Sequence, residues 1–141
     1  MPPDQRVRFI SYLNPNLALG RDGARAVIRN LNESGLVWIR RDRGPGAFSL
    51  LHETDNYGLF WSGKGDPLGL CPFNPDDREH YCTADLLGAG RWPWFALNNH
   101  DHSHVADVDH SGTTSGTNVI AWTWYSTAQP EDNQVWRMET L

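Results

Sequence analysis

The chain has 141 residues, 39% hydrophobic and 21% charged, and its 12 Lys+Arg against 17 Asp+Glu give a formal net charge of −5. That length suits one domain with a real core and is short for two, and an acidic balance without a basic tract argues against nucleic acid as a partner. No apolar run reaches the length of a bilayer crossing, and the N-terminal MPPDQRVRF lacks the apolar stretch of a secretory signal. The expectation is a soluble, cytoplasmic protein without membrane insertion, released, if at all, by a route that needs no signal peptide.

In chain order, short apolar or alternating segments are separated by turn signals. VRFISYL ends at NPN (14–16), RDG (21–23) precedes AVIRN, and LVWIR runs into RGPG (43–46). AFSLLH and GLFW are followed by SGKGDP (62–67) and NPDD (74–77), and WFAL leads on to SGTTSGTN (111–118), NVIAWTW and QVWRM. No clean 3.6-residue apolar stripe extends over fifteen residues, whereas Trp, Phe and Tyr are abundant beside 13 Gly and 9 Pro. Around a dozen short strands joined by turns imply an all-β sandwich or barrel. Cys71 and Cys82 fit neither a zinc ribbon nor a CxxC redox spacing, so both are expected to be free, with a single bridge as the alternative.

A faint internal repeat narrows the fold further. Three segments open on Phe9, Phe48 and Phe95, and each unit closes on an aromatic, Trp38, Tyr81 and Trp136, after 29, 33 and 41 residues. One core residue type at matching points of three successive units predicts a β-trefoil of twelve short strands in three pseudo-repeats, approximately 6–44, 45–90 and 91–141 of a single 1–141 domain, with the three closing aromatics meeting in a shared core. Each unit alone is too small to bury its apolar face, so the three must fold together.

The third unit carries a resemblance. Ala106-Asp107-Val108, the SGTTSGTN turn, Val119-Ile120-Ala121-Trp122 and Asn133-Gln134-Val135-Trp136 follow one another in the order and approximate spacing of a repeat of the ricin B-chain-like (R-type) lectins. The resemblance implies a carbohydrate pocket in this unit and a non-catalytic lectin without cofactor or metal, its partners being glycans or glycoproteins. Asp107 would accept hydrogen bonds from two vicinal sugar hydroxyls. Trp122 would cover the apolar face of the sugar ring. Asn133 would contribute a polar contact, Gln134 would support the pocket, and Trp136 would belong to the core. Trp124, Tyr125 and His104 are expected at the rim. Units one and two lack the carboxylate: Ala18 or Leu19, and Leu59 or Phe60, fall near its place, while the stacking position falls near Asn30 in the first and at Phe73 in the second. One competent site per chain would make any cross-linking depend on homo-oligomers or on association with a larger protein.

Other readings of the same residues differ in class. A trefoil can serve as a protein-interaction module, such as a non-catalytic subunit of an enzyme or toxin complex or a protease inhibitor. In NNHDHSHVADVDH (98–110), an extended backbone would align His100, His102 and His104 on one face, as a metal-dependent enzyme would need. A polar hairpin beside a pocket accounts for the same letters. The basic run IRRDR (39–43) offers Arg40, Arg41 and Arg43 to an acidic sugar or a partner, and Trp92 and Trp94 flank Pro93 in a segment expected near the surface.

Overall fold

The computed structural model describes residues 4–87, 91, 93–124 and 131–141. Twelve strands follow in chain order: β1 (Gln5–Ser11), β2 (Leu17–Asp22), β3 (Arg25–Asn30), β4 (Trp38–Gly44), β5 (Ala47–His52), β6 (Tyr57–Phe60), β7 (Gly69–Pro72), β8 (Cys82–Leu86), β9 (Phe95–Asn99), β10 (His104–Val108), β11 (Val119–Thr123) and β12 (Trp136–Thr140). Single turns of 3-10 helix lie before β8 (Arg78–His80), after β10 (Asp109–Ser111) and before β12 (Asp132–Gln134).

Antiparallel pairing runs in a ring, β1–β4–β5–β8–β9–β12 and back to β1, which closes a six-stranded barrel. The other six strands form the hairpins β2–β3, β6–β7 and β10–β11. These hairpins touch one another through β3–β7 and through the bridges Val27–Asn118 and Pro67–Ile120, and together cap one end of the barrel. This is the β-trefoil expected from the turn-punctuated sequence. Closure leaves the barrel without the unpaired edges that short strands would otherwise expose.

Strand register defines which residues are equivalent. Val7 pairs with Trp38, Phe48 with Cys82 and Phe95 with Trp136, so these three pairs occupy the same place in the three repeats. Phe9 is therefore the counterpart of Leu50 and Leu97, not of Phe48 and Phe95 as the repeat pattern suggested. All of these side chains reach the core because a two-residue offset along a strand preserves the face.

The closing aromatics need a second correction. Trp38 and Trp136 are fully buried, and each donates its indole N–H to a backbone carbonyl, Leu19 O at 3.1 Å and Ala106 O at 3.0 Å. The corresponding residue of the second repeat is Cys82, whereas Tyr81 lies one residue earlier, half-buried, with its hydroxyl donating to Pro75 O at 2.8 Å. Buried Trp61 packs beside the smaller Cys82, its indole N–H reaching Sγ at 3.4 Å. Both cysteines are free, and burial pushes the Cys82 thiol up to about 12.

Candidate functional site

Side-chain alternation in the third hairpin builds the site. In β10, Ala106 and Val108 enter the core, which turns Asp107 to the opposite face. In β11, Val119 and Ala121 enter the core, which turns Ile120 and Trp122 outward. Asp107 is directly across from Ile120, and Trp122 lies two residues further along β11 on the same face. That diagonal neighbour relation corresponds to roughly 7–8 Å across an antiparallel pair.

The turn Asp132–Gln134 brings two amides onto the carboxylate. Asn133 Nδ2 donates to Asp107 Oδ1 at 3.0 Å and to Val108 O at 3.1 Å, and Gln134 Nε2 donates to Asp107 Oδ2 at 2.8 Å. Asp107, Asn133 and Gln134 are all buried, whereas Trp122 is 38% exposed. Each carboxylate oxygen thus has one bond from an amide and lone-pair capacity left for a further donor. Burial raises the Asp107 carboxyl to about 6; the Gln134 hydrogen bond opposes this, and the nearby carboxylates Glu131 and Asp109 add to it.

The remaining predicted residues lie elsewhere or outside the described set. Trp124 follows the end of β11 and donates its indole N–H to Asp85 Oδ2 of β8 at 2.9 Å, so it belongs to a different cluster from Trp122. His104 has the parity of the core-facing Ala106, opposite to Asp107, and is fixed at the start of β10 by Asn99, whose Oδ1 accepts its backbone N–H at 3.1 Å. Tyr125 lies outside the described residues, as does Trp92.

The histidines of the 98–110 segment do not line up on one face. His102 sits in the turn with φ 61°, which breaks the alternation that an extended segment would have had. Its Nδ1 lies 2.9 Å from Asp85 Oδ1, whereas His100 Nε2 lies 3.8 Å from Glu79 Oε1. Among the described residues no three His, Cys, Asp or Glu side chains converge on a point that could hold a metal ion. A cavity of about 710 Å³ opens at the other end of the barrel, lined by residues such as Phe48, Phe95, Met138 and Arg40, and none of Asp107, Trp122, Trp124, His104, Asn133 and Gln134 lines it.

Register also shows how the same place differs in the other repeats. The counterparts of Asp107 are Gly20 and Phe60, and those of Trp122 are Arg29 and Cys71. Gly20, Arg29 and Cys71 differ from the places the sequence suggests, Ala18 or Leu19 and near Asn30 in the first repeat and Phe73 for stacking in the second. At Gly20 an added Cβ would meet Arg29 Cγ at 2.9 Å and Leu36 Cδ2 at 3.2 Å, so this place is already filled. In the second repeat His80 stands where Gln134 stands in the third, with Phe60 and Phe73 edge-on to its ring at 5.3 and 5.4 Å.

One contact to the site was not foreseen. The loop 62–67 of the second repeat lies against β11, with Gly65 N donating to Ala121 O at 2.7 Å and Ala121 N donating to Asp66 O at 3.0 Å. It carries Lys64, whose Nζ is 4.8 Å from the centroid of the Trp122 ring. In the sequence this stretch reads only as a turn.

No family model matches the chain. Among curated proteins it is 31% identical over 108 residues to a ricin B-like lectin, R40C1, of Oryza sativa subsp. japonica, an alignment covering 71% of this chain and 30% of that protein. A second rice protein, ricin B-like lectin R40G2, is 29% identical over the same shares. The chain thus spans about 30% of the length of the curated relatives it matches. Among solved structures it superimposes on ThreeFoil, a designed threefold-symmetric protein, with a TM-score of 0.81 at 20% identity, over 96% of this chain and 99% of the other. The C-terminal half of an earthworm R-type lectin, solved in complex with GalNAc, matches with a TM-score of 0.69 at 16% identity, over 97% and 99%. Fold and register define a β-trefoil whose third repeat alone has a carboxylate at the Asp107 place. In sequence and in fold, the chain resembles the ricin B-like lectins.

Proposed function

We propose that the chain binds carbohydrate without catalysing a reaction, and that the sugar sits in the third repeat between Asp107 and Trp122. The observation that carries this reading is the carboxylate itself: Asp107 is 5% exposed, held by two amide donors, and on the same face as a Trp ring that is 38% exposed. A buried acceptor fixed in direction selects hydroxyl geometry, and an exposed indole face covers the C–H face of a pyranose without a charged partner. Asn133 and Gln134 orient the carboxylate, and the amide of Asn133 borders the same space. The similarity to ricin B-like lectins points to the same ligand class.

The test is a glycan array probed with the wild type and with Asp107→Asn, which keeps the shape of the side chain and removes its charge. Selective binding by the wild type, absent from a folded Asp107→Asn variant, is expected. Undiminished binding by that variant places the sugar elsewhere, and a folded wild type that recognises no glycan contradicts the reading.

A further inference from the structure

We infer that Lys64 makes the third-repeat site selective for saccharides bearing an anionic substituent, a carboxylate or a sulfate, over their neutral counterparts. This rests on the reading of Asp107 and Trp122 as the sugar site.

Lys64 is the one lysine among the 12 Lys+Arg of the chain. It reaches the site from the preceding repeat, and its loop is anchored rather than loosely draped. Gly65 N and Asp66 O bond to both backbone groups of Ala121, Pro67 forms a bridge with Ile120, and Ser62 Oγ donates to Pro67 O at 2.5 Å. A Cβ on Gly65 would stand 3.7 Å from Cζ3 of Trp122, so the loop backbone runs close beside the indole. The loop backbone is therefore held beside the indole, which puts the ammonium within reach of the ring for cation–π attraction.

Most of the other basic side chains are engaged within the protein. Arg40 pairs with Asp42, Arg41 with Asp4, Arg21 with Asp55 and Arg29 with Glu33, and Arg43 donates to Pro75 O and Tyr81. Lys64 forms no ion pair among the described residues, and the residues outside that set contain no Asp or Glu. Asp66, its nearest acidic neighbour in sequence, directs Oδ2 to within 3.3 Å of the Cβ place of Gly63.

The charges across the site are accordingly unequal. Asp107 has Glu131 and Asp109 near it at one end, and Lys64 stands over Trp122 at the other. A sugar that directs hydroxyl donors to Asp107 and lays its ring on Trp122 brings its remaining edge toward an unpaired cation. An anionic group on that edge gains a partner. A neutral sugar gains none, and only the anionic one is repaid for shifting the ammonium off the indole face.

Calorimetric titration of matched methyl pyranosides, each as the neutral sugar, the 6-carboxylate and the 6-sulfate in gluco and galacto configurations, tests this in the wild type, Lys64→Gln and Lys64→Arg. The wild type is expected to favour the anionic members by about three- to tenfold, with the preference shrinking as salt is raised, in keeping with an exposed charge pair. Lys64→Gln should erase the preference while leaving neutral-sugar affinity equal or higher, and Lys64→Arg should retain it. Equal affinity of the wild type for both members, or a preference that survives Lys64→Gln, overturns the assignment and leaves the sugar site standing. Absence of binding by every member to the folded wild type overturns both.

Discussion

Asp107 combines burial with two amide donors, and the pH dependence of the protein should show it. Its carboxyl is raised from 3.8 in the unfolded chain to about 6 in the folded one, so the folded state holds the proton more tightly. Stability therefore falls as pH rises from about 4 to about 6 and levels off above, by on the order of 3 kcal/mol. Denaturant unfolding of the wild type and Asp107→Asn at pH 4 and pH 7 should show the wild type losing ground to the variant as pH rises; parallel behaviour would mean that Asp107 is hydrated. Sugar binding runs the other way. Protonation removes an acceptor from the carboxylate, so affinity should drop as pH falls through about 6. Trp122 is 38% exposed and faces away from the core, so its removal is felt less by the fold than that of Trp38 or Trp136. Trp122→Ala should weaken sugar binding about tenfold or more, equivalent to ~1.4 kcal/mol, with an unfolding midpoint close to that of the wild type. At this scale the resemblance names Asp107, Trp122, Asn133 and Gln134, and the β10–β11 register and the turn Asp132–Gln134 bring these four together, which alternation within one segment does not specify. Trp124 departs from the rim position because alternation holds only within the strand: Trp124 follows the last residue of β11, and its indole bonds to Asp85. His104, expected at the pocket, has a parity in β10 opposite to that of Asp107.

Within the strands, the three repeats are alike in where they place bulk and unlike in what supplies it. Trp38 and Trp136 each combine complete burial with a hydrogen bond to the second strand of their own repeat. Truncation of either to Ala should cost about 3–5 kcal/mol in chemical denaturation. Tyr81→Phe should cost about 1–2 kcal/mol, the loss of the bond the hydroxyl donates to Pro75 O and of the one it accepts from Arg43. A loss at Tyr81 as large as that at Trp38 would restore Tyr81 to the core and contradict the register described above. Tyr81 stands one residue from Cys82, on the other face, and only its aromatic type suggests the core. The two-residue offset of Phe9 has a plain physical origin. Period-two patterning identifies the face of a residue but not its partner across the sheet, and a shift of two leaves the pattern unchanged. The pairs Val7–Trp38, Phe48–Cys82 and Phe95–Trp136 are set by closure of the barrel, which no single segment encodes. The loop carrying Lys64 was missed for a related reason: SGKGDP signals a turn, and only the Pro67–Ile120 bridge and its neighbouring bonds bring that turn onto Trp122.

Across the whole molecule, closure of the ring between β1 and β12 joins the first repeat to the third, so no repeat completes its sheet alone. Unfolding should accordingly be a single transition, with tryptophan fluorescence and far-UV circular dichroism changing together; separated transitions would show the repeats to be independent. Pseudo-symmetry of the backbone does not extend to the ligand sites. Gly20, packed against Arg29 and Leu36, and Phe60, packed against His80, occupy the place that Asp107 holds in the third repeat. The chain should therefore bind close to one monosaccharide per molecule. The most direct measurement of the central claim is an NMR titration with a sugar selected on the array, following the indole Nε1–H of Trp122 and the side-chain amides of Asn133 and Gln134. Saturable shifts confined to these groups and their neighbours on β10 and β11, at one sugar per chain, are the predicted result. Shifts centred on the first or second repeat, with these three signals unmoved, would contradict it.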